Sequence, residues 1–298
     1  MKKEILDLRV THSESVGTGC VFLKAVPVEG CLPECQPGQF AQLRVDGPGV
    51  FLRRPISIHD VEGNEISFLV QVVGEGTRWL GLLKVGDIVN TVLPLGRGFC
   101  FGGEKREERG ERNELSGEGA GVSSIHDSYS TLRQEDIISL FSPLSSLYNK
   151  RPILIGGGVG VAPLLFLGKR LKAKGIQPTF LLGARTKEQL LRLDAFREVG
   201  EVLVTTEDGS MGERGFVTQH SSLFSSLSPL HIYTCGPSPM MKAVARLARE
   251  KGWPCEVSLE NRMACGVGAC LCCVEDTTTG NRCVCTDGPV FNINDLKW

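Results

Sequence analysis

Ile153-Leu154-Ile155-Gly156-Gly157-Gly158-Val159-Gly160-Val161-Ala162-Pro163-Leu164 joins a buried-strand run, a glycine turn and a helix start in one stretch. The apolar residues, with Pro152 ahead of them, read as a strand covered on both faces. Pro163 is tolerated in the first turn of a helix, where its missing N–H would have no partner anyway. That helix is expected to run from Pro163 to Lys174. The alternation continues with a strand at 178–182, a helix at 188–198, strands at 202–206 and 230–234, and a helix at 240–251. Strands separated by helices predict a doubly wound parallel sheet over residues 150–250.

In such a sheet ligands bind at the carboxyl ends of the strands. Gly157, Gly158 and Gly160 stand at one such end. Glycines there let a dinucleotide pyrophosphate approach the backbone, with the free N–H groups of the helix start favouring the anion. The run is not a strict G-x-G-x-x-G, and the plain alternative is a tight turn with no ligand. Thr234-Cys235-Gly236-Pro237 ends another strand and opens another helix, so Cys235 and Gly236 are expected on the same edge. Arg185-Thr186-Lys187 follows the second strand. It could accept a 2′-phosphate, but a solvated helix entry is the preferred reading, which leaves NAD as the expected nucleotide.

Residues 1–100 have a different texture. Short alternating runs such as Phe40–Val45 and Glu65–Val73 are separated by Gly, Pro and Asp, with no helix-length periodic segment between them. They predict a small antiparallel β-barrel. Within it lies Arg53-Arg54-Pro55-Ile56-Ser57-Ile58. A flavin dinucleotide needs a cation for its pyrophosphate and a small hydroxyl near its ring edge. Arg54 offers forked donors and Ser57 a single oriented one. Downstream, Gly74-Glu75-Gly76-Thr77 follows the strand holding Leu69-Val70-Gln71. Gly76 permits close backbone approach to a phosphate and Thr77 adds a hydroxyl. Each signal alone is as compatible with a structural Arg-Pro or an ordinary turn. Their company in one barrel upstream of a nucleotide fold points to FAD.

Residues 101–149 are charged and then Ser/Gly-rich, and read as a flexible insertion without a core of its own. Residues 251–298 hold seven of the twelve cysteines. Cys265-Gly266-Val267-Gly268-Ala269-Cys270-Leu271-Cys272-Cys273 gives C-x4-C-x2-C, the plant-type spacing for three ligands of a [2Fe–2S] cluster. Gly266 and Gly268 allow a loop that aims backbone N–H groups at sulfur. Zinc prefers paired C-x2-C knuckles, which this bunching does not provide. The fourth thiolate comes from downstream, where Cys283 and Cys285 compete on spacing alone. Cys272 gives only a C-x-C and is left out of the ligand set. The reading is thus multidomain: an FAD barrel, a doubly wound nucleotide domain and a small C-terminal [2Fe–2S] domain.

Composition sets the outer limits. The chain has 298 residues, enough for two or three domains, with 41% hydrophobic residues. A formal net charge of −1 gives no basic field for nucleic acid. No apolar run has the length of a membrane span, and the first ten residues alternate like a strand rather than a secretion signal. Twelve cysteines without such a signal fit a reducing compartment, so a cytoplasmic chain is expected.

The order of motifs resembles the ferredoxin–NADP⁺ reductase superfamily. More narrowly, the chain is similar to the electron transfer subunits of NAD-linked dihydroorotate dehydrogenases. The narrow likeness rests on Leu52–Ile58, Gly74–Arg78, Glu260–Cys270 and Val284–Phe291, and it spans nearly the whole chain outside 101–149. It implies a partner subunit with FMN that oxidises dihydroorotate, in a heterotetramer of two subunits of each kind, in pyrimidine biosynthesis. It implies that Arg54, Pro55, Ile56, Ser57, Leu69, Val70, Gln71, Gly76 and Thr77 hold FAD. It also implies that Cys265, Cys270, Cys273 and Cys285 hold the cluster, the Cys-Thr-Asp-Gly-Pro-Val-Phe context selecting Cys285 over Cys283. The competing readings are an NAD(P)H-dependent ferredoxin or sulfide reductase subunit, and an electron relay that turns over no nicotinamide.

Overall fold

The computed structural model describes residues 2–17, 19–47, 49–101, 151–225 and 230–298. By their contacts, residues 1–99 and 150–298 form one unit. The stretch expected to be an insertion, 101–149, lies outside the described residues except for Phe101.

Six strands close an antiparallel barrel: β1 (Glu4–Ser15), β2 (Cys20–Pro27), β3 (Phe40–Leu43), β4 (Arg54–Glu62), β5 (Glu65–Gln71) and β6 (Ile88–Leu95), in the order β1-β2-β5-β4-β3-β6. The period of two sorts the side chains. Ala41 and Leu43 of β3, Ile56 and Ile58 of β4, and Ile66, Phe68 and Val70 of β5 fill the barrel. Their alternates, Phe40 and Gln42 of β3 and Pro55, Ser57 and His59 of β4, therefore face outward. Phe40, Gln42 and His59 are nonetheless buried, because the second half of the chain covers that face. Phe40 and Leu95 belong to the same apolar core as Ile153, Leu181 and Ile232.

One helix interrupts the N-terminal region where only a turn was expected: α1 (Glu75–Gly81). At seven residues it is too short for a periodic signal, and Leu80 is its one fully buried apolar anchor. Its start is closed by Thr77, whose Oγ1 accepts from the N–H of Val73 (2.9 Å) and of Gly74 (3.1 Å).

The second half is built on a seven-stranded sheet: β7 (Arg151–Gly157), β8 (Thr179–Ala184), β9 (Glu201–Thr206), β10 (Glu213–Arg214), β11 (Leu230–Cys235), β12 (Cys255–Ser258) and β15 (Val290–Asn292). The order is β10-β9-β8-β7-β11-β12-β15, parallel throughout except for β15 against β12. From β7 the chain steps outward through β8, β9 and β10, then returns to lay β11 on the other side of β7. That reversal makes the β7/β11 junction a topological switch point.

The expected helix at 163–174 is α2 (Ala162–Ala173). The expected helix at 188–198 is split: a 3₁₀ turn at Lys187–Gln189, then α3 (Leu193–Val199). Arg192 breaks it, with φ +57° and its guanidinium 3.8 Å over the Phe22 ring of the barrel. A short α4 (Ser222–Ser225) precedes β11. In α5 (Ser238–Lys251), Met241, Val244, Ala245 and Ala248 recur at helical spacing and are buried, and Gly252 ends the helix at φ +65°.

The cysteine segment is anchored in this sheet. It leaves β12, forms the cysteine loop, a hairpin of β13 (Val274–Thr277) and β14 (Gly280–Cys283) and a turn of helix, α6 (Val284–Asp287), and returns as β15. Arg249 of α5 pins the chain end by donating to the Leu296 carbonyl at 3.0 Å.

Barrel and sheet meet along a polar seam. His59 Nδ1 lies 2.8 Å from the Ala162 carbonyl, and Lys169 of α2 pairs with Asp60 (2.5 Å) and with Glu62. Among the described residues, no helix is long and apolar enough to cross a membrane.

Candidate functional site

At the switch point the two glycine turns touch. A Cβ placed on Gly160 would lie 2.4 Å from the Gly236 Cα, so neither chain could pass with a side chain there. Gly158 sits at φ +57°, where other residues are strained. A Cβ on Gly157 would meet Met240 Sδ at 2.6 Å, and one on Gly236 would meet Met240 Cε at 2.7 Å. Gly157, Gly158, Gly160, Cys235 and Gly236 are thus brought together at the carboxyl edge of β7 and β11. Arg185 and Lys187, further along the same edge, are exposed.

Cys235 ends β11 fully buried, its Sγ 3.7 Å from Glu260 Oε1. Burial first, then the Glu260 charge, pushes the Cys235 thiol up. The protein packed around the Glu260 carboxyl also pushes it up, although the residue's open surface limits that effect. Glu260 is a residue that motif reading quoted but assigned nothing to. Its nearness to Cys235 depends on β11 and β12 being neighbours, which no local pattern reveals.

The second group lies on the outward face of β4. Arg54 and Gly76 are in contact: a Cβ on Gly76 would fall 2.1 Å from Arg54 Nε, so the glycine seats the guanidinium. Arg54 donates through Nη1 to the Leu52 carbonyl at 2.6 Å, which leaves Nη2 without a protein partner among the described residues. Arg53, by contrast, is tied to the barrel through Asn90, with Nη1 to its carbonyl at 2.8 Å. Ser57 pairs with Phe40 across the β3/β4 ladder and faces outward. Ile56 and Val70 point into the barrel core, so only their backbone can meet a ligand on this face. Leu69 is outward and buried, and Gln71 is exposed at the end of β5. The Thr77 hydroxyl is occupied in closing α1.

The third group is the cysteine loop. Gly266 and Gly268 lie at φ +71° and +84°, and Leu271 between the second and third cysteines at φ +56°. These turns aim N–H groups at sulfur. Val267 donates to Cys265 Sγ (3.4 Å), Gly268 to Cys285 Sγ (3.2 Å) and Cys285 to Cys273 Sγ (3.4 Å). Burial raises the Cys265 thiol, but the N–H groups of Val267, Cys270 and Ala269 and the Cys270 thiol outweigh it and hold it at about 6. Cys285 goes the other way, to about 12, through burial and then the Cys273 sulfur beside it. Cys265 and Cys270 interact side chain to side chain, as do Cys273 and Cys285, and Cys265 also acts on Cys285. Among the described residues no three His, Cys, Asp or Glu side chains close around a single ion. Among the described residues Cys283 receives no such N–H; its own N–H donates to Asp287 Oδ2 at 3.0 Å. Cys272 turns away, its Sγ 3.7 Å from the Arg262 carbonyl.

The loop packs on the barrel. A Cβ on Gly266 would lie 2.8 Å from the Gln42 side chain of β3, and Arg97 donates its N–H to the Gly288 carbonyl at 2.5 Å.

Known proteins agree with this architecture. Residues 260–297 match the iron–sulfur cluster binding domain of dihydroorotate dehydrogenase B, and residues 154–246 the oxidoreductase NAD-binding domain. Among solved structures, the NADH-dependent reduced ferredoxin–NADP oxidoreductase studied for flavin-based electron bifurcation aligns at 28% identity and TM-score 0.72, over 98% of this chain and 90% of that one. Phthalate dioxygenase reductase shares the fold at TM-score 0.56 and 19% identity, over 87% of this chain and 70% of that one. The dihydroorotate dehydrogenase B (NAD⁺) electron transfer subunit of Caldanaerobacter subterraneus subsp. tengcongensis is 35% identical over 86% of this chain and 84% of its own length. That of Fusobacterium nucleatum subsp. nucleatum is 35% identical over 89% and 88%. With such identity sustained across nearly the full length of both proteins, the chain belongs to the family of dihydroorotate dehydrogenase B electron transfer subunits.

Proposed function

We propose that this chain carries electrons from an FMN-containing dihydroorotate dehydrogenase subunit to NAD⁺, using a [2Fe–2S] cluster and FAD. The observation that carries the reading is the seating of the cysteine loop. Gly266 lies against Gln42 on the barrel face that also carries Arg54 and Ser57, so cluster and flavin positions adjoin.

Bound FAD supplies the exchange between two-electron hydride chemistry and one-electron cluster chemistry. The chain's residues do the holding. Arg54, seated on Gly76, offers its free donors to the flavin pyrophosphate, and the outward Ser57 hydroxyl faces the ring edge. Pro55 and Leu69 supply apolar surface on the same face. Ile56, Val70, Gln71, Gly76 and Thr77 shape the backbone around them. Gly157, Gly158, Gly160 and Gly236 open the switch point to NAD. Cys235 and Glu260 stand beside it, the thiol Sγ 3.7 Å from Glu260 Oε1.

Cys265, Cys270, Cys273 and Cys285 are the cluster ligands in this reading. The C-x4-C-x2-C spacing with a fourth cysteine downstream suits a [2Fe–2S] cluster, whereas structural zinc prefers paired C-x2-C knuckles. The N–H groups on Cys265, Cys273 and Cys285 stabilise thiolate charge. An association of two subunits of each kind accompanies this assignment, as do a cytoplasmic setting and a division into an FAD barrel at 1–100, an NAD domain at 150–250 and a cluster domain at 251–298.

The test is an anaerobic titration of the purified chain with NADH, followed by visible absorbance and low-temperature EPR. Flavin bleaching with a rhombic [2Fe–2S] signal is expected. Bound zinc without an EPR signal would overturn the cluster assignment. A second reading, a subunit of an NAD(P)H-dependent ferredoxin or sulfide reductase, is favoured by the alignment at TM-score 0.72 with a reduced ferredoxin–NADP oxidoreductase. Reduction of the chain by dihydroorotate in the presence of the co-purified partner separates the two.

A further inference from the structure

Gln42 is a buried amide without a use in the protein alone. It lies on the outward face of β3, opposite Pro55 of β4 and beside Phe40, which pairs with Ser57. Its exposure is 1%, and neither Nε2 nor Oε1 has a hydrogen-bond partner among the described residues. Folded proteins seldom leave a buried polar group unpaired, and here both ends of one amide are left so. The contact that Gln42 does make is with the cysteine loop. A Cβ on Gly266 would sit 2.8 Å from both its Cγ and its Nε2. The amide therefore lies between the Arg54–Ser57 face and the loop that starts at Cys265.

We propose that Gln42 is a positioning residue for electron passage between flavin and cluster, its amide supplying the hydrogen bonds that link the two bound groups. This rests on the FAD and cluster assignment above. The amide has a donor side and an acceptor side, and the two binding faces it separates are those of an anionic sulfur cluster and a polar flavin ring. A donor aimed at cluster sulfur stabilises the reduced, more negative state and so raises the cluster potential. The passage itself is one electron with no bond made or broken, and two such passages match one hydride leaving for NAD⁺.

The variant to make is Gln42→Met in the holoprotein. Methionine keeps the length and flexibility and removes the amide, and it breaks no hydrogen bond within the described protein. The expected result, with iron and FAD still stoichiometric, is a cluster midpoint shifted negative by about a tenfold change in the one-electron equilibrium, about 59 mV. Altered g-values and slower cluster reduction after flavin reduction accompany it. Unchanged potential, EPR spectrum and internal transfer rate in a loaded variant would show Gln42 to be a space-filling wedge and overturn the proposal. Should the variant lose its cofactors, the wild-type holoprotein decides. With glutamine side-chain ¹⁵N, electron–nuclear double resonance on the reduced cluster is expected to show a coupling, and its absence overturns the proposal. A wild-type chain with no rhombic signal at all would instead sink the cluster reading beneath it.

Discussion

Gly266 is constrained from two directions. Its φ of +71° is a conformation in which a side chain costs about 1–2 kcal/mol, and a Cβ there would press on Gln42 at 2.8 Å. Gly266→Ala is therefore expected to lose most of its iron while keeping FAD, since Arg54 and Gly76 lie on other elements. Iron and sulfide analysis beside the flavin absorbance checks this, and full iron content would show the loop to be more yielding than its geometry implies. The candidate ligand positions could be proposed from the sequence because C-x4-C-x2-C is a spacing with a chemical reason. The choice between Cys283 and Cys285 was not legible from spacing. It needs to be known which sulfur receives a backbone N–H, and Gly268 donates to Cys285 while Cys283 uses its own N–H on Asp287. Gln42 and Glu260 were hidden for a further reason. Each matters through a neighbour far away in sequence, Gly266 for one and Cys235 for the other.

Strand β4 serves two neighbours. Its first residues, Arg54 to Ser57, form the candidate flavin face, and its later ones, His59 to Glu62, lock the barrel to α2 through Ala162 and Lys169. His59 is buried and held neutral. Burial lowers its pKa to about 4, the Ala162 carbonyl works against this, and the charges of Arg192 and Lys169 add to the lowering. The unfolded chain binds a proton near pH 6.5 and the folded one only near 4. Between these values the unfolded state holds more protons, so stability rises with pH, and acidification through that window removes it. At about 1.4 kcal/mol per unit the loss approaches about 3 kcal/mol by pH 4. His59→Asn retains a donor for Ala162 and does not titrate. Its melting temperature is expected to fall less than that of the wild type between pH 6.5 and 4. Parallel profiles would remove His59 as the responsible group. The elements on either side of this seam were readable from period-two and period-3.6 patterning. The seam was not, because the pairing of Asp60 and Glu62 with Lys169 is a fact of docking. The misread helix at 188–198 has the same origin: Arg192 leaves the helical conformation to lie over Phe22 of the barrel.

At the scale of the whole molecule, the cysteine loop is the part of the proposed electron path that lies at the surface. Cys273 and Cys285 are buried behind it, whereas Cys270 and Cys272 are exposed, with Leu271 between them 64% exposed and Val267 47% exposed. Exposed apolar side chains gathered around a redox centre mark a contact surface when the centre must approach another. Leu271 is suited to that use, since its φ of +56° turns it out of the loop at a position where glycine would be easier. The catalytic partner subunit is expected to cover it. Burying a leucine is worth about 1.5–3 kcal/mol, and each 1.4 kcal/mol is tenfold in affinity. Leu271→Asp should therefore weaken association with the catalytic subunit by about tenfold or more, measured by calorimetric titration of the loaded proteins. Dihydroorotate-driven reduction of NAD⁺ should fall with it at dilute protein and recover as the concentration is raised. Recovery separates a docking defect from a damaged cluster, because damage does not respond to concentration. An unchanged affinity would place the partner on another face and leave the exposed loop open to a different electron donor, such as the ferredoxin of the second reading.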